Sequence, residues 1–140
     1  IIDFERAFGL TKSESIKIKS YSIQNTHLTI YRDIAFNQKD RQIPITTNEQ
    51  KEVLLRRQLL LTSYGQGNSL INLLSFEMLS TLYRIELLLI GIKGCTLFRR
   101  QYAVDRFSAI KNQLPTEEVH KMIQKEMGFC SSKIVVGWLS

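Results

Sequence analysis

The chain has 140 residues, 44% hydrophobic and 23% charged, with 19 Lys and Arg against 13 Asp and Glu for a net charge of +6. This length and balance fit a single domain, residues 1–140, with a proper core, and they exclude a disordered chain. The positive balance points to an anionic partner, but the cations are dispersed with no run longer than two, so a mildly basic globular protein satisfies it equally.

The longest purely apolar runs are far too short to span a bilayer, and Asp3 and Glu5 interrupt any signal-peptide pattern at once. The first residue is Ile1 rather than Met, so the expectation is a processed product or a piece of a longer protein. Two cysteines, Cys95 and Cys130, make neither a disulfide framework nor a tetrahedral metal site, and reading them as reduced and buried favours a cytoplasmic setting. His27 and His120 fall in no metal-ligand spacing, so no metal and no cofactor are expected.

In chain order, residues 16–36 read as a hairpin: "IKIKSYSI", a polar turn "QNTH", then "LTIYRDIAF". The polar connection "NQKDRQIP" follows, with Pro44 set to break any ladder. Residues 46–92 fit two descriptions. Thr47 with Gln50 has capping-box spacing, and Glu52 with Arg56 is an i,i+4 pair, both helical features. "VLLRRQLLL" and "SLINLLSFEML" around "TSYGQGN" fit strands about a glycine-bearing loop, and two antiparallel strands within 53–78 around a loop at 63–68 are the prediction. "LYRIELLLIG", "IKGC" and "TLFRRQYAV" then alternate as a second hairpin. "LPTEEVHKMIQKEMG" is a helix with Thr116 as N-cap, Glu117 and Glu118 at the positive end of the dipole and Gly128 at C′. Its buried stripe is Val119, Met122, Ile123 and Met127. "SKIVVGWLS" closes the chain as a strand with Ile134, Val136 and Trp138 on one face. The predicted class is α+β, an antiparallel sheet built from hairpins with a few short helices on one side.

The pieces "LYRIELLL", "IKG", "TLFRRQYAV", "TEEVHKMIQKEMGF" and "SSKIVVGWLS" resemble the C-terminal half of the ligand-binding domain of GntR-type transcription regulators, a domain similar in fold to chorismate pyruvate-lyase. The stretch "LLRRQLLLTSYGQGNSLINLLSFEMLSTL" resembles an earlier hairpin of that lyase, with the leading arginine at Arg56. The resemblance implies an effector-sensing domain with a chorismate-lyase-like fold. The acidic residue that both families tend to place on the returning strand falls at or beside Arg100, which argues against lyase chemistry here.

Three arginines interrupt apolar faces in the strand reading: Arg32 between Ile30 and Ile34, Arg57 between Leu55 and Leu59, and Arg100 between Phe98 and Tyr102. A guanidinium stays charged, so each needs an anion or a wet face. Either they converge on a cleft and fork a ligand carboxylate or phosphate, or they pair with internal acids such as Asp33, Glu77 or Glu86, or snorkel. Arg56, Arg84 and Arg99 then face outward, solvated or on nucleic-acid phosphates. Tyr64 in "SYGQGN" is placed either to cap the pocket or in an ordinary hairpin loop. No nucleophile, base and orienting acid stand together, so no catalytic residue is assigned.

The function expected is non-enzymatic binding of a small anionic metabolite through Arg57 and Arg100, with Arg32 and Tyr64 in support, as in the effector domain of a transcription regulator. The partners expected are that ligand, a second copy in a homodimer, and nucleic acid through the outward arginines or a flanking domain. The alternatives are a basic nucleic-acid- or protein-interaction module and, last, a lyase-like enzyme.

Overall fold

A computed structural model describes residues 1–64, 67–94 and 96–140. Helices dominate it. The order is α1 (Ile2–Phe8), α2 (Lys12–Lys17), β1 (His27–Ile30), β2 (Arg41–Pro44), α3 (Asn48–Ser63), α4 (Phe76–Leu89), α5 (Thr96–Ile110), α6 (Thr116–Met127) and α7 (Lys133–Leu139), with 3₁₀ turns at Ser20–Ser22 and Leu70–Asn72. No described helix is long and apolar enough to cross a membrane.

This corrects the fold class: the chain is not a sheet of hairpins with a few helices beside it. The only sheet among the described residues is β1 against β2, antiparallel, with Leu28 opposite Ile43 and Ile30 opposite Arg41. Of the first predicted hairpin only an isolated bridge, Ile23 to Leu28, survives across the predicted turn. Pro44 does not prevent a ladder but ends one, in register with His27. The two strands predicted within 53–78 are instead the 16-residue α3, the second 3₁₀ turn and the start of α4. The hairpin predicted over 82–104 is α4 and α5, and the terminal strand is α7, which buries Val135 rather than Ile134 and Val136. Cys130 is exposed, not buried, and Cys95 lies outside the described residues.

Local chemistry accounts for the helices. The Thr47–Gln50 capping box is made: Gln50 N–H donates to Thr47 Oγ1, and Thr47 N–H donates to Gln50 Oε1. Thr11 and Glu14 form a second box that starts α2. The helix read at the C-terminal end is present as α6, with Val119, Ile123 and Met127 fully buried and Gly128 at φ 76° stopping it. Its N-cap is Pro115 rather than Thr116. Gly9 stops α1 at φ 65°, where a Cβ would lie 2.7 Å from the Tyr102 ring. Only glycine satisfies both the left-handed backbone and the close approach.

The main core joins Phe4 and Phe8 of α1, Leu28, Ile30 and Ile43 of the sheet, Ala103 of α5, the α6 stripe and Val135. Two smaller clusters flank it, Ile16 with Leu61, Leu70 and Leu79, and Tyr83 with Leu87 and Phe98.

Charged groups are buried with the core. Arg41 forks Glu14 with two bonds of 2.8 Å, and its Nε donates to the Glu126 carbonyl at 2.9 Å. Glu14 also accepts from the backbone N–H of Thr11 and Phe36. Burial pushes the Glu14 carboxyl up, but the hydrogen bonds and charge of Arg41, with those two N–H groups, outweigh it and hold the pKa below the usual value. The Glu126 carboxylate takes the Tyr102 hydroxyl at 2.7 Å and Arg106 at 2.9 Å. Glu5 is different: it is fully buried and accepts from the Tyr83 hydroxyl at 2.8 Å, while its Oε1 has no partner among the described residues.

Burial outweighs the Tyr83 bond and the charges of Arg99 and Lys12, and pushes Glu5 up to about 7. The folded state therefore holds this proton more tightly than the unfolded chain. The stability it contributes is present below the unfolded pKa of 4.5 and is lost as pH rises through about 7. The full loss is at most on the order of 3 kcal/mol. Urea titrations at pH 5 and pH 8 are expected to show wild type losing about 1–3 kcal/mol more than Glu5→Gln across that interval. Equal losses in the two proteins would refute the buried, proton-holding carboxyl.

Candidate anion-binding site

The buried face of α3 follows helical spacing: Gln50, Val53, Arg57 and Leu61. Gln50 fixes the start of this face by donating to the carbonyls of Ala7 and Pro44. Two turns on, Arg57 is only 5% exposed. Its Nη2 donates to the carbonyls of Ile18 and Asn68, both at 2.8 Å, and its Nη1 donates to Ser20 Oγ at 3.2 Å. Ser20 in turn donates to Asn68 O through both its backbone N–H and its hydroxyl. One guanidinium thus ties the segment after α2 to the segment after α3.

None of those acceptors is charged. No ion pair to Arg57 exists among the described residues, and Nε is buried without a partner. Burial lowers the guanidinium pKa to about 10, with no carboxylate among the described residues to restore it. Arg41, by contrast, has Glu14, and Arg106 has Glu126. Among the described residues, Arg57 is a buried cation with no carboxylate bonded to it.

It lines a groove of about 870 Å³ between α3 and the 20–25 segment. Ile23, Ile45 and Leu54 give this groove apolar walls, and Lys51, Gln58 and Asn25 add polar groups. A guanidinium in the lining, the Lys51 ammonium six residues earlier on the same helix, and apolar flanks suit a small anion with a hydrophobic body.

The other expected site residues lie elsewhere. Arg32 is exposed in the turn after β1, where Asp40 accepts from its backbone N–H at 2.7 Å and from its side chain at 3.2 Å. Arg100 is exposed on α5, donates to the Trp138 carbonyl at 3.3 Å, and borders a separate depression of about 420 Å³ with Lys93 and Trp138. Tyr64 caps the C-terminal end of α3 and borders an apolar cleft with Leu60 and Leu82; its neighbours Gly65 and Gln66 lie outside the described residues. None of the three lines the Arg57 groove.

The arginines read as outward also separate. Arg56 faces Asp3 at 3.6 Å, and Arg84 is exposed on α4. Arg99 is half-buried, donates to the carbonyls of Gly9 and Met127, and stacks over the rings of Phe36 and Phe129. His120 stacks on Phe107. Among the described residues, no group of three or more His, Cys, Asp or Glu side chains is arranged to hold a metal ion.

Lys51, Gln58 and Asn25 were not singled out in the sequence. Lys51 and Gln58 stand six residues before and one after Arg57, a relation visible only once α3 is a helix. Comparisons with protein-family models, curated proteins and solved structures find no match for this chain.

Because Arg57 bonds only neutral acceptors, replacing it with methionine strands no charge. It forfeits three hydrogen bonds and relieves a desolvated cation, two effects of similar size. The urea midpoint of Arg57→Met is expected to correspond to a change within about 1 kcal/mol, with unchanged slope. A loss of about 3 kcal/mol or more would mark the residue as a structural tie, whose stranded carbonyl acceptors outweigh the relieved cation.

Proposed function

We propose that this chain is a non-enzymatic binding domain for a small anionic ligand, held in the groove along α3 with Arg57 as anchor and Lys51 farther along the lining. One observation carries the reading: Arg57, a buried cation with no counter-ion among the described residues, is one of the residues lining a large, partly apolar groove. A ligand carboxylate or phosphate supplies the missing charge and leaves its apolar part on Ile23, Ile45 and Leu54. The sensing role of a transcription regulator's effector domain is compatible with this site. The proposal rests on the groove rather than on the hairpins that suggested that family, since those residues are helical.

Thermal unfolding of the full chain with octanoate, benzoate, citrate and inorganic phosphate tests it. An anion that occupies the groove at a hundredfold excess over its Kd is expected to stabilise by about 2.7 kcal/mol. That corresponds to a rise in Tm of roughly 5–10 °C for a domain of this size. Arg57→Met is expected to abolish the shift and Arg100→Met to leave it intact. No shift with any of these anions at millimolar concentration, or an equal shift in Arg57→Met, would overturn the proposal.

A further inference from the structure

The helix α4 carries two apolar faces. Leu79, Tyr83 and Leu87 turn inward and are buried. Met78, Leu82, Ile85 and Leu89 form a second stripe, at spacings of four, three and four residues, and all four are exposed. Leu88 widens it, and Leu88 and Leu89 are 78% and 82% exposed. An apolar cleft of about 740 Å³, bounded by Leu82 of α4 and by Leu60 and Tyr64 at the end of α3, continues the surface.

We propose that this face of α4 is where a second copy of the chain packs, antiparallel, about a two-fold axis between Leu82 and Ile85. Five large side chains, half to four-fifths uncovered, amount to on the order of 600 Å² of apolar surface, the upper end of what a monomer carries. Covered by the same face of another copy, the patch removes on the order of 1,200 Å² in total, the threshold of a stable interface, before the cleft adds to it.

The stripe is self-complementary. The two-fold sets Met78 of one copy beside Leu89 of the other, and Leu82 of one beside Ile85 of the other. It also brings Glu77, at the start of one helix, toward Lys93, which follows the end of the other, and it opposes the two helix dipoles. A parallel pairing sets like ends together. A helix built to lie on lipid carries Lys and Arg beside its apolar face, whereas the charged residues of α4 are Glu77, Arg84 and Glu86.

Sedimentation velocity on the full chain, across low to high micromolar concentration, is the test. Wild type is expected to shift from the mass of one chain to that of two. Ile85→Glu is expected to remain a single chain over the same range, with an unchanged far-ultraviolet circular dichroism spectrum, because the side chain it replaces faces solvent in the monomer. Leu89→Gln, a milder change at the most exposed position, is expected to weaken the dimer at least tenfold. A wild type that stays monomeric throughout overturns the proposal, and so does a dimer that both variants leave intact. A monomer that instead co-sediments with phosphatidylserine vesicles overturns it in favour of a lipid surface.

Discussion

The fold turns on one buried ion pair. Glu14 and Arg41 are 0% and 8% exposed, and the carboxylate accepts four hydrogen bonds: two from Arg41 and one each from the backbone N–H of Thr11 and Phe36. One side chain therefore caps α2, holds the turn before β2 and pins the strand. Arg41 passes the connection on through the Glu126 carbonyl, and the Glu126 carboxylate binds Tyr102 and Arg106 of α5. Such a pair is weak evidence of net stability, because its desolvation offsets its attraction. Its consequence is geometric: these elements have one arrangement in which no buried charge is left alone.

Arg57 stands apart because it has no such partner among the described residues. The fold satisfies it with two carbonyls and a hydroxyl, enough to hold it in place but not to neutralise it. The groove it lines and the surplus charge are two descriptions of the same gap in the electrostatics. The outward face of α4 is a corresponding gap in the packing, with apolar surface left uncovered where the charge elsewhere has been matched. The α3–α4 side of the molecule is therefore where both proposals fall, the ligand on one face of α3 and the second copy on α4.

What was legible in the sequence follows from the same physics. The α6 helix could be read because its signals agreed: Pro115, acidic residues in the first turn, one apolar stripe and a terminal glycine. The α4 helix could not, because it is apolar on two faces and the 3.6-residue period is diluted. Arg57 falls on the buried face in either reading of its element, since residues four apart share a face in a strand and in a helix alike. Its true neighbours are Val53 and Leu61, while Leu55 and Leu59, two residues away, are exposed. Arg100 had no such protection: Phe98 and Tyr102 are buried, and two residues of helical turn carry Arg100 to the opposite, exposed side. Arg41 was missed altogether. The Thr11–Glu14 capping box and the alternation of Arg41 with Ile43 were both present in the sequence, but nothing local links residues 27 positions apart.

A double-mutant cycle on Glu14→Gln and Arg41→Met, read by urea unfolding at neutral pH, tests the organising role of the pair most directly. Each single change is expected to cost about 3–5 kcal/mol, because each leaves the other partner buried and alone. The double variant is expected to cost well under their sum, with a coupling of about 2 kcal/mol or more. Costs that add to within about 0.5 kcal/mol would contradict the account, since they would show two independent side chains where the fold requires one unit.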